Sequence, residues 1–209
     1  MLTRRKFLKL GAAAGASVLV PWKGGDLRAL AQPPAPLPSI IDPLYNAPIA
    51  DPMAILKFVN SLPIPGRINA LSGGTFTMNM RQTAQDLLGT GHMTPVWGYG
   101  LAGVSYPGPT FVAMSGVPVY VQWVNNLDKP HLLPVDDTVH WALGKAGLTW
   151  DDVNGIPAVA HLHGGHTESA SDGLPEQWFT PVEMYKGGTF VKSLYTYDNS
   201  QPAGTLWYH

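Results

Sequence analysis

The stretch "VPVYVQWVNNL" at 117–127 places Val119, Val121 and Trp123 at every second position before an Asn-Asn pair. That two-residue period belongs to an extended strand with one buried face. The stretch "TFTMNMRQ" at 75–82 repeats it with Phe76, Met78 and Met80. Further strand candidates are Pro157 to His163, Thr189 to Tyr197 and Thr205 to His209, while "YPGPT" at 106–110 reads as a turn. The 23 Gly and 20 Pro among 209 residues, with only 13% charged residues, suit many short strands joined by turns rather than helices. The predicted class is therefore all-β. The length allows one full core, or one domain with extensions, and no internal repeat stands out.

The N-terminus reads as an address. Arg4 and Arg5 stand inside T-R-R-K-F-L-K, an apolar run follows from Leu10 to Val20, and Ala29-Leu30-Ala31 offers a small-x-small cleavage site. This resembles a twin-arginine export signal over 1–31, which implies a periplasmic or extracellular protein that crosses already folded. The apolar run spans 11 positions, short of the roughly 18–20 that cross a bilayer, so no stable membrane span is expected. Cleavage after Ala31 would remove six of 13 basic and one of 14 acidic residues, leaving 7 against 13 and a net charge of -6. A nucleic-acid partner is not expected of such a surface. The chain has no Cys, so it holds neither a disulfide nor a thiolate metal ligand.

Residues 32–55 form a Pro-rich extended arm, with seven prolines between Gln32 and Pro52. The packed domain is expected over 56–209. Within it, 128–155 reads as one long loop with a short helix near Trp141 to Gly147, and loops that long inside a compact domain are usually functional or poorly ordered. That loop leads into "AHLHGGHTE" at 160–168. In an extended strand His161 and His163 point the same way, about 6.5–7 Å apart along the backbone. Taken alone, H-x-H is either a pair of metal ligands or an ordinary strand pair.

The flanking motifs add a resemblance. "KFVNSLPIPG" (57–66), "PVWGYGLAGVSYPGPTF" (95–111), "VYVQWVNNL" (119–127), "AHLHGGHTESASDGLPEQWFT" (160–180) and "GTLWYH" (204–209) follow one another in the order seen in the first cupredoxin domain of multicopper oxidases. They look most like the spore-coat laccase and bilirubin oxidase branch. The resemblance implies a cupredoxin-like Greek-key β-sandwich, the first domain of a multidomain oxidase, cut short inside a copper motif. It implies copper as cofactor, His161 as a type 2 ligand, and His163 and His209 as type 3 ligands. It implies that the full-length enzyme oxidises small phenolic, bilirubin-like or metal substrates and reduces dioxygen to water. The remaining C-terminal domains and the type 1 copper site lie outside this chain, so the fragment alone is expected to be inactive.

Neutral imidazoles suit copper, and Gly164 and Gly165 are expected to let the backbone turn beside the metals without crowding them. Asp172 sits where that branch places an acidic residue beside the cluster. It would relay protons or hold a ligand water, or it merely caps its Asp-Gly turn. His166 reads as a loop residue, and His92, His131 and His140 lack supporting spacing. The Trp and Met residues in strands read as core, with Trp178 a candidate to pack beneath the metal loop.

Two rival readings stay open. "GIPAVAHLHGGHTE" also fits G-x5-H-x-H-x4-E, which resembles the first cupin motif and would make Glu168 a third ligand of one metal. The second cupin motif wants two residues between Gly and His, whereas four separate Gly204 from His209. The other rival is a non-catalytic, exported copper-binding module of cupredoxin type.

Overall fold

The computed structural model describes residues 55–128 and 147–209, most of 130–136, and Met53, Leu143, Ile41–Asp42 and Ala47–Pro48. The export signal, most of the Pro-rich arm, His140 and nearly all of the expected short helix lie outside the described residues. The chain divides into two compact units, 1–49 and 50–209. In the first, β1 (Ile41–Asp42) pairs antiparallel with β2 (Ala47–Pro48).

Among its described residues the second unit carries eight strands: β3 (Arg67–Ala70), β4 (Gly74–Gln85), β5 (Thr94–Gly100), β6 (Thr110–Ala113), β7 (Val119–Asn125), β8 (Leu162–His163), β9 (Leu194–Tyr197) and β10 (Trp207–Tyr208). One sheet has the order β5-β4-β7-β9, and β3 with β6 and β8 with β10 form separate pairs. Within the large sheet β4 runs antiparallel to β5 and parallel to β7, and β9 is antiparallel to β7. The chain leaves that sheet for β6 and returns as β7, then leaves for β8, returns as β9 and leaves again for β10. Repeated crossing between pairings explains the parallel contacts β4/β7 and β3/β6 inside an all-β chain, since parallel neighbours need a long connection.

The period-two reading holds in β4 and β7. Met78 and Met80 are buried in the first, and Val119, Val121 and Trp123 in the second. They meet Ile68, Ala70, Ala160, Phe179, Tyr195 and Tyr197 in one core, with Phe111, Leu162 and Tyr208 packed against it. Each Val, Ile, Leu, Phe or Met side chain so withdrawn from water contributes about 1.5–3 kcal/mol. Among the described residues there is no α-helix, only one-turn 3-10 helices such as Ser169–Ser171, Pro175–Gln177 and Pro181–Glu183. None is long and apolar enough to cross a membrane.

Three strand forecasts contract. Of Pro157 to His163 only Leu162–His163 is strand, of Thr189 to Tyr197 only the last four residues, and of Thr205 to His209 only Trp207–Tyr208. The cause is local. Ala158 pairs with Phe179 through a single bridge, so the segment before the histidines is pinned without forming a ladder. The Asn-Asn turn is built around Asn125, which is buried. Its amide donates to the carbonyls of Ile156 at 2.7 Å and Phe179 at 2.6 Å. Its oxygen accepts from Leu127 N–H at 2.9 Å. One side chain thereby ties the end of β7 to the segments entering and leaving the histidine region.

Candidate metal centre

The histidines sit on a two-stranded ribbon. His161 and His209 face each other across the ladder, each N–H donating to the other's carbonyl at 2.7 and 2.9 Å. The ladder continues as Leu162 opposite Tyr208 and His163 opposite Trp207. Alternation then sorts the side chains. Leu162 and Tyr208 turn to the core, while His161, His163 and His209 share the other face. Their ring centroids form a nearly equilateral triangle with sides of 5.7, 5.6 and 5.8 Å. His163 and His209 are exposed and His161 is half-buried.

Tyr208 anchors this ribbon. Its hydroxyl donates to the Pro109 carbonyl at 2.7 Å, and its ring packs against Tyr99, Phe111 and Trp123. The turn at 106–110 is thus the floor against which the strand carrying His209 rests.

His161 has a defined tautomer. Its Nδ1 lies 2.5 Å from the Asp172 carbonyl, and a carbonyl only accepts, so in the neutral ring the proton is on Nδ1 and the lone pair on Nε2. A ligand imidazole oriented by a backbone carbonyl is a common arrangement around protein-bound metals. The donor set and its orientation therefore fit a nitrogen-binding ion such as copper.

The loop behind Asp172 is fastened from several directions. Thr167 Oγ1 donates to Asp172 Oδ1 at 2.5 Å. Gln177 donates to the Ser169 carbonyl and accepts from Leu174 N–H, each at 2.9 Å. Ser171 Oγ donates to Glu168 at 2.7 Å and accepts from Thr196 N–H at 2.9 Å. Gly173, at φ +72°, turns so tightly that a Cβ there would overlap the Ala160 carbonyl and come within 3.0 Å of His161 Cα.

Glu168 faces away from this chemistry. It pairs with Lys192 and accepts from Ser171, and the hydrogen bond from Lys192 chiefly holds its carboxyl below the ordinary range. Among the described residues no three His, Cys, Asp or Glu side chains gather closely enough to hold one metal ion, and His161, His163 and His209 are no exception. Both findings weigh against the cupin arrangement of His161, His163 and Glu168 around a single metal.

Gly164 has φ +80°, and an added Cβ would meet only Leu206 Cδ2 at 3.7 Å; at Gly165 it would press on the Leu162 side chain. The first glycine serves a left-handed turn. Trp178 packs with Leu143 and Val153 under the long loop. His166 is an exposed loop residue whose N–H donates to Gln201 at 3.1 Å. His131 lies edge-on to Trp97 with ring centroids 4.4 Å apart, and burial lowers its pKa. Sequence reasoning missed Thr167 and Gly173, and the Asp-Gly pair was the one signal pointing toward them.

No family model matches the chain. Individual relatives do. "Multicopper oxidase LPR1 homolog 5" of Oryza sativa subsp. japonica is 36% identical over 186 residues, covering 85% of this chain and 28% of the relative. The laccase of Bacillus subtilis strain 168 is 35% identical over 75% of this chain and 30% of its own length. The laccase of Bacillus stratosphericus is 38% identical over the same two shares, 75% and 30%. A crystal structure of a multi-copper oxidase from Pseudomonas thermotolerans aligns with TM-score 0.43 at 22% identity, over 66% of this chain and 25% of that one. The chain spans less than a third of the length of these curated relatives.

Proposed function

The chain belongs to the multicopper oxidase family, and we propose that its His161, His163 and His209 are copper ligands within a longer, laccase-like oxidase. That protein would take electrons from phenolic, bilirubin-like or metal substrates and reduce dioxygen to water. His161 would serve a type 2 position, and His163 and His209 type 3 positions. The observation that carries the reading is the backbone pairing of His161 with His209, which holds three imidazoles 5.6–5.8 Å apart on one face.

Bound copper supplies one-electron redox chemistry toward dioxygen. The chain's own residues prepare for it. His161 presents Nε2 because its Nδ1–H is committed to Asp172. Tyr208 fixes the strand that carries His209 through Pro109. The Asp172 carboxylate lies 3.8 Å from His161 Nδ1, close enough to the ribbon to hand protons toward it through water. The 209-residue chain has no Cys, and by itself it would bind copper without turning over.

The purified chain tests this directly. It should bind Cu(II), lose binding in His161→Ala/His163→Ala, weaken in His209→Ala, and show no intense blue thiolate band. Retained affinity in the double variant, or a site abolished by Glu168→Gln, would overturn the assignment.

The paired Arg4-Arg5 supports export by the twin-arginine route to the periplasm or beyond. Arg4→Lys/Arg5→Lys should leave the precursor in the cytoplasm by cell fractionation. Normal recovery outside the cytoplasm would reject that address.

A further inference from the structure

We propose that Thr167 is a positioning residue for His161, because its hydroxyl decides which oxygen of Asp172 the imidazole meets. Asp172 offers His161 Nδ1–H two acceptors, its carbonyl at 2.5 Å and its carboxylate Oδ1 at 3.8 Å. A charged acceptor makes a hydrogen bond roughly twice as strong as a neutral one, so the ring's preference for the carbonyl needs a cause. Thr167 Oγ1 supplies it by donating to that same Oδ1 at 2.5 Å. The hydroxyl holds the carboxylate back from the ring. Thr167 is itself half-buried. The loop between it and Asp172 is fastened through Ser171 to Glu168 and to Thr196 N–H. The backbone after Asp172 is pressed onto Ala160 at Gly173.

The consequence lies in how electron-rich His161 is. An imidazole paired with a carboxylate is a more basic ligand than one paired with a carbonyl. Thr167 therefore keeps His161 the weaker donor of the two it could be, with its Nε2 lone pair in a fixed direction. Removing the hydroxyl lets the carboxylate rotate onto Nδ1. This tuning matters to copper only if His161 is a copper ligand as proposed above, but the hydrogen-bond choice exists without metal.

The test uses the metal-free 209-residue chain labelled with 15N-histidine at one fixed pH. In Thr167→Val the His161 Nδ1–H proton resonance should move downfield, and Thr167→Ser should restore its original position. Made in an Asp172→Asn background, the same valine substitution should produce almost no shift, because no charged acceptor remains to take over. Thr167→Ala stands in should the valine chain fail to fold, as judged by the amide resonances of His161 and His209, which pair with each other only in the folded chain. Cu(II) titration of the same chains should show about tenfold tighter binding in Thr167→Val, the scale on which such outer residues act. An unmoved His161 resonance in Thr167→Val, or a shift that persists undiminished with Asp172→Asn, overturns the proposal. A chain that shifts as expected yet binds no Cu(II) refutes the copper reading and leaves the role of Thr167 standing.

Discussion

Replacing Gly173 by alanine isolates how the backbone at Asp172 serves His161. Two costs add at that position. An L-residue held at φ +72° carries about 1–2 kcal/mol of strain. The new methyl would also overlap the Ala160 carbonyl and come within 3.0 Å of His161 Cα. Both neighbours are backbone, so relief requires the turn to lift from the strand, at about 1–3 kcal/mol. The expected loss is about 2–5 kcal/mol in all. Gly164→Ala is the internal control. It has a similar φ of +80°, but its Cβ would meet only Leu206 Cδ2 at 3.7 Å, so it should lose about 1–2 kcal/mol. Urea unfolding followed by tryptophan fluorescence measures both, with ΔG taken from midpoint and slope. Lifting the turn also withdraws the Asp172 carbonyl from Nδ1, and Cu(II) affinity should fall about 10–100-fold in Gly173→Ala. Equal destabilisation by the two substitutions would show that close approach at Gly173 is not what the fold requires. Unchanged Cu(II) affinity would show that the carbonyl does not orient His161.

Asn125→Ala strands the buried Ile156 carbonyl and the Leu127 N–H and leaves the Phe179 carbonyl with Ala158 N–H as its partner, and should cost about 2–5 kcal/mol, read as a lower urea midpoint at unchanged slope. Burial pushes the Tyr99 and Tyr195 phenols up to about 12 from the ordinary 10.0. The folded pKa lies above the unfolded one, so this stabilisation is complete below pH 10 and is lost as pH climbs toward 12. Urea midpoints measured from about pH 9 to 12 alongside phenolate absorbance should show that decline, and flat midpoints would contradict it.

What the sequence made legible depends on where each contribution resides in the residue. β4 and β7 announce themselves because alternate side chains meet core and surface, and hydrophobicity records that directly. β5 does not, although it is seven residues long. It contains Gly98 and Gly100, which read as strand breakers, yet a Cβ at Gly98 would lie 2.6 Å from the Ser105 carbonyl and one at Gly100 would collide with Gly103. These glycines are present because another segment's backbone occupies the space. A lone sequence does not encode which segment that is.

The candidate site divides along the same line. The H-x-H spacing exposes His161 and His163, since imidazole is distinctive and a strand fixes its face. His209 is 46 residues further on than His163, and its meeting with His161 is a cross-strand pairing that periodicity cannot specify; the resemblance located it. The sequence draws attention to the Asp172 carboxylate, either as proton relay or as turn cap. The atom that holds His161 at 2.5 Å is instead its carbonyl, which every residue possesses and no sequence pattern marks. Gly173 contributes by lacking a side chain, and Thr167 by occupying an oxygen that would otherwise compete. Contributions made by a backbone atom, an absence or an occupied acceptor become visible only once the chain is folded, and here they determine how the legible histidine presents its lone pair.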